Sequence, residues 1–273
     1  MASRGSRSKG SGRCGSIWIG AGIGALVGIA AAISIGLAVR SGDSGRGPMT
    51  GGAITNTTAG TTSAAGAPTI PTAPTARTPT AAVPRPPIVR KLITYGADRR
   101  DQMTEYSRKH YGPKWAGWQL IDPKVIVEHY TASDTMSSAW NTFESNSPDG
   151  ELGQLPGTCA HFIVDKDGTI YQLVTLDTRC RHTVGLNHRS IGIEMVGMSD
   201  RGILSNPLQI KAALALTRWL QAKFDIPTPD VIGHSESVSS PYHLELYGPW
   251  KTQTHGDWSA SAMREFRSRI VTG

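Results

Sequence analysis

The stretch Val125-Ile-Val-Glu-His-Tyr-Thr-Ala-Ser133 decides how we interpret the fold. It begins with three β-branched residues, an apolar run that is typical of a strand buried on both faces. The run ends at Glu128 and His129 and then breaks into small polar residues. A histidine at the mouth of a buried strand has a fixed backbone and an open side, which suits a metal ligand or an acid–base group. Because a lone histidine there is more often structural, the interpretation depends on the rest of the chain.

The composition of the chain changes sharply near residue 89. The first ninety residues contain one aromatic side chain, Trp18, and one acidic side chain, Asp43. Nine of the 28 basic residues precede residue 91, which leaves 19 basic and 20 acidic side chains in the remainder. The net charge of +7 therefore belongs to the N-terminal tail. This distribution disfavours a nucleic-acid-binding domain, and we expect one ordered domain over residues 89–273 that is long enough to bury a core.

An uncharged apolar segment over residues 17–39 predicts a transmembrane helix. Its 23 residues are enough to span about 30 Å of hydrocarbon. Basic residues in the tail 1–16 precede it, so the positive-inside rule places that tail in the cytoplasm and the later residues outside. We favour an uncleaved, single-pass anchor in the cell membrane. The alternative is a cleaved signal peptide, and hence a secreted protein.

Residues 40–88 predict a disordered linker that is rich in Gly, Ala, Thr and Pro. Such a segment cannot bury enough apolar surface to offset the entropy of ordering it. In a polyproline conformation it would reach about 150 Å, at about 3 Å per residue. A membrane anchor followed by a long tether indicates a domain that works well outside the membrane, which in a bacterium means at the cell wall.

Periodicity and turn signals in residues 89–273 predict a mixed α/β domain. The segment 161–174 reads as a hairpin around Asp167-Gly168. The segment 189–196 reads as a strand with Glu194 on the face opposite its apolar residues. We also expect a helix at 134–144 capped by Asp134, a helix from Asn206 to Phe224, a short strand Val231–His234, and a final helix capped by Asp257 or Ser259. Residues 89–118 are predicted only to cover the core.

Cys159 and Cys180 flank the predicted hairpin. An exported domain permits a disulfide, and pairing across the base of the hairpin is geometrically reasonable. By the chain-entropy estimate such a bridge would contribute about 3 kcal/mol. Two buried free thiols are the alternative. Of the remaining histidines, we interpret His161 as a core residue and His110 and His188 as exposed.

The candidate metal ligands and the candidate general base come from separate segments of the chain. His129 and His234 each end a short apolar strand, and catalytic zinc sites need three protein ligands and an open position. The segment before the last helix offers His255 and Asp257. Glu194 supplies a carboxylate that, beside a metal, can act as a general base and pass the proton to a leaving amine.

With these motifs in this order, residues 122–270 resemble the zinc-dependent N-acetylmuramoyl-L-alanine amidases that share the fold of the peptidoglycan recognition proteins. The resemblance is carried by the His129 strand, by Cys159-Ala-His-Phe-Ile-Val164, by His182-Thr-Val-Gly185, by Asn187 through Glu194, and by Gly233-His-Ser-Glu236. It implies a central mixed β-sheet flanked by helices, with a groove over Zn2+.

The resemblance also implies roles for individual residues. His129 and His234 match the two histidine ligands of the family, and Glu194 matches its catalytic glutamate. His182 matches a groove residue that contacts the substrate or the developing oxyanion. The implied reaction is hydrolysis of the amide between the lactyl group of N-acetylmuramic acid and L-alanine in peptidoglycan.

The third metal ligand is where this sequence departs from the family pattern. The family usually places a Cys or Asp shortly after the second histidine, whereas here an insertion separates His234 from the next candidates. We favour His255 as the third ligand, with Asp257 and His243 as alternatives. Two rival functions stay open: a peptidoglycan-binding module without catalysis, and a zinc peptidase that cuts the stem peptide.

Overall fold

The computed structural model describes residues 82–151 and 153–272. The predicted anchor 17–39 and most of the predicted linker 40–88 lie outside the described residues. In the part that is described, no helix combines the length and the apolar character that a membrane crossing requires.

The described residues form strands and helices that alternate along the chain. The strands are β1 (Val89–Arg90), β2 (Val125–Tyr130), β3 (Phe162–Val164), β4 (Ile170–Gln172), β5 (Ser190–Met195) and β6 (Val231–Gly233). The α-helices are α1 (Ala97–Tyr111), α2 (Met136–Glu144), α3 (Asp200–Leu204), α4 (Pro207–Phe224) and α5 (Ala260–Thr272). Short 3-10 turns lie at Pro113–Trp115, Thr228–Asp230, His234–Ser239 and Gly248–Trp250.

The strands make one mixed sheet in the order β1-β4-β3-β5-β2-β6. Strands β3 and β4 form the predicted antiparallel hairpin, and the other neighbouring pairs are parallel. Strands β5, β2 and β6 therefore end at the same edge of the sheet. The mixed α/β class and the central mixed sheet are confirmed, and the carboxyl edge of parallel strands is where sites in such folds usually lie.

The two faces of the sheet have different partners. Helices α4 and α5 pack on one face, where Ile126, Ile193, Leu216 and Phe266 belong to one buried cluster. The opposite face carries His129 and, near α2, a second apolar cluster that contains both cysteines. Because side chains alternate along a strand, this division separates the core of the domain from its functional face.

Local signals explain the helix ends. As predicted, the Asn206 side chain accepts hydrogen bonds from the first free amides of α4, and Pro207 occupies its first position. Helix α2 begins later than predicted. Thr135 caps it by accepting from the Ser138 amide, whereas Asp134 pairs with Lys166 across the surface. Ser259, one of the two predicted caps, serves α5 by accepting from the Ala262 amide.

Helix α1 builds a layer that the sequence did not reveal. It packs with the 3-10 turn Gly248–Trp250 in a third cluster that includes Tyr106 and Trp250. The prediction that His110 is exposed is wrong. Its ring is fully buried, 2.9 Å from Glu245 through Nδ1 and 2.8 Å from Gln154 through Nε2.

Three further predictions concern His188, the two cysteines and His161. His188 is buried rather than exposed, because it lies between the rings of Tyr111 and Trp115. Cys159 and Cys180 form the disulfide, with their Cα atoms 5.2 Å apart. His161 is a core residue as predicted: its Nδ1 accepts from the Gly192 amide.

Candidate metal centre and catalytic groups

The sheet brings the predicted site residues together at one edge. His129 in β2 is the register partner of Glu194 in β5, so the two side chains are neighbours on the same face. His234 directly follows β6, the other neighbour of β2. The predicted placement of these residues at strand ends is thus what gathers them.

A group of three ligand-type side chains forms there, consisting of His129, His234 and Asp257, with one ligand atom of each lying within 4.8 Å of the others. Nδ1 of His129 is 3.1 Å from Oδ2 of Asp257, and Nδ1 of His234 is 3.4 Å from Oδ1. Both histidines are buried. Two imidazoles and one carboxylate form a donor set of the kind that catalytic zinc sites use.

The electrostatics of the group suit a cation. Burial lowers the pKa of His129, which keeps its ring neutral, the form in which imidazole binds metals. Burial alone would raise the pKa of Asp257. Hydrogen bonds to His129 and His234 outweigh that effect and hold the pKa of this carboxyl well below its usual range. The group therefore places the neutral ring of His129 and the ionised carboxylate of Asp257 beside the ring of His234, a set of donors that fits a divalent metal.

Hydrogen bonds to backbone carbonyls hold Asp257 in place although it lies far along the chain. The Ser235 amide donates to the Asp257 carbonyl at 2.9 Å, and the Thr254 hydroxyl donates to the His234 carbonyl at 2.7 Å. Trp258 is buried beside Gly233, where an added Cβ would come within 2.6 Å of the Trp258 carbonyl. The absence of a side chain at Gly233 is therefore what lets the loop approach the β6 end.

His255, favoured from the sequence as the third ligand, does not join this group. Its ring centroid is 4.9 Å from that of His234. Its Nε2 lies 2.7 Å from the side-chain amide nitrogen of Gln253 and 3.2 Å from the Glu151 carboxylate. The alternative His243 lies against Gly185 instead. The third position is taken by Asp257, because the buried Trp258 anchors its neighbour at the site and leaves His255 at the rim.

Glu194 has the environment of a general base. Its Oε2 is buried without a hydrogen-bond partner among the described residues. Burial raises the pKa of Glu194 to about 8, and the negative charge of Asp257 adds to the effect. A carboxyl group held in this way, beside a candidate metal site, can exchange a proton near neutral pH.

His182 lies directly against the metal group. Its Nδ1 is 3.1 Å from Nε2 of His129, and its Nε2 is 3.2 Å from the Ser190 hydroxyl. Burial, reinforced by His129 and His161, holds the pKa of His182 well below its ordinary value. The ring rests on Gly192, where an added Cβ would come within 2.7 Å of it.

The sequence did not reveal this contact between two histidines, nor the parts that Thr183, Asn187 and Ser190 play around it. All three lie within the motifs that carry the family resemblance. Those motifs were therefore the available signal, although they say nothing of which atoms meet.

Comparison with known proteins agrees with the site. Residues 119–243 match the sequence model of a family described as N-acetylmuramoyl-L-alanine amidase. The match ends before Asp257. Comparison with curated protein sequences gave no significant match.

Several solved structures are similar to this chain. The endolysin N-acetylmuramoyl-L-alanine amidase LysCS from Clostridium intestinale is 24% identical, with 56% of this chain and 84% of that chain covered and a TM-score of 0.41. A mutant endolysin from Bacillus subtilis is 21% identical, with coverages of 67% and 98% and a TM-score of 0.41. The amidase AmiD from E. coli is 25% identical, with coverages of 42% and 49% and a TM-score of 0.34.

The family match and the site geometry concern the same strands. The segment 119–243 supplies His129, His182, Glu194 and His234, and the described structure adds Asp257 to them. Over residues 119–243, this chain carries a domain that belongs to the N-acetylmuramoyl-L-alanine amidase family.

Proposed function

We propose that this domain hydrolyses the amide bond between N-acetylmuramic acid and L-alanine in bacterial peptidoglycan, with Zn2+ as its cofactor. One observation carries the proposal. Inside an amidase-family segment, the group of His129, His234 and Asp257 stands beside Glu194, whose buried Oε2 has no hydrogen-bond partner among the described residues.

The metal would be held by Nδ1 of His129, Nδ1 of His234 and the carboxylate of Asp257, the atoms that already face one another. When bound there, zinc supplies a Lewis acid that polarises the carbonyl of the scissile amide. Three protein ligands leave a position open, which distinguishes a catalytic zinc site from a structural one.

Glu194 would move the proton. In its ionised form the carboxylate accepts a proton from water as the water oxygen attacks the lactyl carbonyl carbon. The protonated carboxyl then donates that proton to the amine of L-alanine as the carbon–nitrogen bond breaks. The products are a muramic acid carboxylate and a stem peptide with a free amino terminus, so atoms and protons balance.

We further propose that the predicted helix 17–39 and linker 40–88 tether this domain outside the cell membrane, within reach of the wall. The uncharged apolar run and the basic residues before it support this arrangement. A secreted form, released by cleavage after the apolar run, is the alternative.

The test is a digestion of purified peptidoglycan by the chain, with product analysis by mass spectrometry. We expect complete stem peptides that begin with L-alanine, lost with a zinc chelator, restored by added Zn2+, and absent with Glu194→Ala. Peptides cut internally would instead identify a zinc peptidase. Binding to the wall without cleavage at any zinc concentration would identify a recognition module, and either result would overturn the proposal.

A further inference from the structure

We propose that a hydrogen-bond relay from Ser190 through His182 holds the proton of His129 on Nε2 and so leaves its Nδ1 free for the metal. The inference rests on the metal site of the proposed function, and it makes Ser190 and His182 positioning residues of that site.

The relay begins at Ser190. Its hydroxyl oxygen is 2.9 Å from the Leu186 carbonyl, and since a carbonyl only accepts, the serine donates its single proton there. The serine oxygen also lies 3.2 Å from Nε2 of His182. Because its own proton is already donated, it can only accept a hydrogen bond from that nitrogen. Nε2 must therefore carry the ring proton of His182.

The proton on Nε2 determines what the other nitrogen of His182 can do. A neutral imidazole has one N–H, so Nδ1 of His182 is an acceptor. It lies 3.1 Å from Nε2 of His129 and 2.8 Å from the Thr183 hydroxyl. His129 can donate to it directly, or to the Thr183 oxygen at 3.2 Å while that hydroxyl donates to His182. Both routes place the proton of His129 on Nε2, whereas a proton on Nδ1 would leave Nε2 of His129 and Nδ1 of His182 as two acceptors 3.1 Å apart with only the Thr183 hydroxyl proton between them.

This placement matters because a second acceptor competes for the same proton. Oδ2 of Asp257 lies 3.1 Å from Nδ1 of His129 and would hold a proton on that nitrogen. A metal can bind Nδ1 only when the proton is elsewhere. The relay supplies an acceptor on the opposite side of the ring, in the manner of the outer partners that fix the tautomer of metal-binding histidines.

The surroundings keep the relay rigid. Asn187 accepts hydrogen bonds from the backbone amides of His182 and Thr183, both at 2.8 Å. Ser190 has no exposed surface, which leaves no route for bulk water to replace its hydroxyl. Gly192 gives the His182 ring its place on the sheet, since a Cβ there would overlap it.

The variant that tests the relay is Ser190→Ala in the full-length chain. Zinc affinity is measured by competition with a chromophoric chelator. We expect the zinc affinity to fall by about tenfold, the lower end of the loss seen when a residue that supports a metal ligand by hydrogen bonding is removed. Ser107→Ala is the matched control. Ser107 is equally buried and accepts a hydrogen bond from Arg179 at 2.6 Å, but it lies on α1 outside the relay. The zinc affinity of the Ser107→Ala variant should equal that of the wild type.

The second readout is the tautomer itself, from nitrogen NMR of the histidine rings. In the wild type we expect the proton of His182 on Nε2 with or without metal, and that of His129 on Nε2 when zinc is bound. Ser190→Ala should remove the preference at His182, whereas Ser107→Ala should not.

The outcomes separate this inference from the proposed function. A wild-type His182 with its proton on Nδ1 overturns the relay, as does a folded Ser190→Ala variant with unchanged affinity and unchanged tautomers. If the wild type binds no zinc, the proposed function fails, and the His182 tautomer in the metal-free protein still decides whether the relay exists. The same wild-type spectrum decides the question if Ser190→Ala does not fold.

Discussion

At the scale of the residue, the proposed metal site depends most on Asp257, which we propose as the third ligand in place of His255. We expect Asp257→Ala to lower zinc affinity by more than about 100-fold. This exceeds the loss caused by removing a residue that only hydrogen-bonds to a metal ligand. His255→Ala should change it by less than about tenfold, because His255 bonds to Gln253 and Glu151 instead. Isothermal titration with Zn2+ checks both variants. The reverse order of the two effects would return the ligand role to His255.

Glu194 gives the site a pH dependence whose sign follows from its role. The carboxyl must be ionised to accept a proton, and burial raises its pKa to about 8 before any metal is bound. A cation at the neighbouring group favours the ionised form, so the pKa in the loaded enzyme lies lower. We therefore expect kcat/KM to rise with pH to a plateau that begins below about pH 8.

The matched variant for this prediction is Glu194→Gln, which keeps the shape of the side chain but accepts no proton. Its rate should fall by about 100-fold to 10,000-fold, the range of a general base, with the zinc content unchanged. A rate that decreases between about pH 5 and pH 8 in the wild type would be incompatible with Glu194 as the base.

The sequence located part of this site, and the missing part has a physical reason. Strand ends fix where His129, Glu194 and His234 point, so a local pattern was enough to find them. The third ligand depends on how the insertion after His234 folds back, and that is set by the burial of Trp258 beside Gly233. Likewise His110 is buried because of Glu245, a partner 135 residues away.

At the scale of the element, α1 is joined to the site by Asn187. The side-chain amide of Asn187 donates to the hydroxyls of Tyr106 and Tyr111 at 3.4 and 3.0 Å, while its oxygen holds the loop of His182. Helix α1 lies outside the family-matched segment 119–243. Support for the site thus also comes from a helix outside that segment.

The double change Tyr106→Phe/Tyr111→Phe tests that connection. It keeps both rings but leaves the buried Asn187 amide without acceptors, which should cost about 1–3 kcal/mol of unfolding free energy. Urea unfolding monitored by fluorescence measures the loss. Tyr171→Phe, whose hydroxyl makes no hydrogen bond in the described structure, should be neutral. Equal stability of all three proteins would show that α1 packs on the site without supporting it.

The elements differ in how far the sequence could predict them. The hairpin, β5 and α4 were predicted closely because turn residues, alternation and the Asn206-Pro207 cap are local signals. Helix α1 was missed because its buried residues mix polar and apolar side chains: Arg99, Met103, Tyr106, Ser107, His110 and Tyr111. The burial of the polar ones depends on partners that only the fold supplies.

At the scale of the whole molecule, the charge and composition of residues 1–88 predict a tethered enzyme. We expect the full-length chain to fractionate with membranes and to need detergent for extraction, because 23 uncharged residues span a bilayer. A chain that lacks residues 1–40 should be recovered without detergent. Protein recovered from the medium, with its N-terminus after the apolar run, would support the secreted alternative.

If water adds to the carbonyl that joins muramic acid to L-alanine, the oxygen atom of that water ends in the lactyl carboxylate, and following this atom tests the proposed reaction. Purified peptidoglycan is digested by the zinc-loaded protein in oxygen-18-labelled water, and the products are analysed by mass spectrometry. We predict one labelled oxygen in the lactyl carboxylate of muramic acid and an unlabelled stem peptide with free L-alanine. Label in a carboxyl group of the stem peptide, with the muramic acid amide intact, would contradict hydrolysis of the bond to L-alanine.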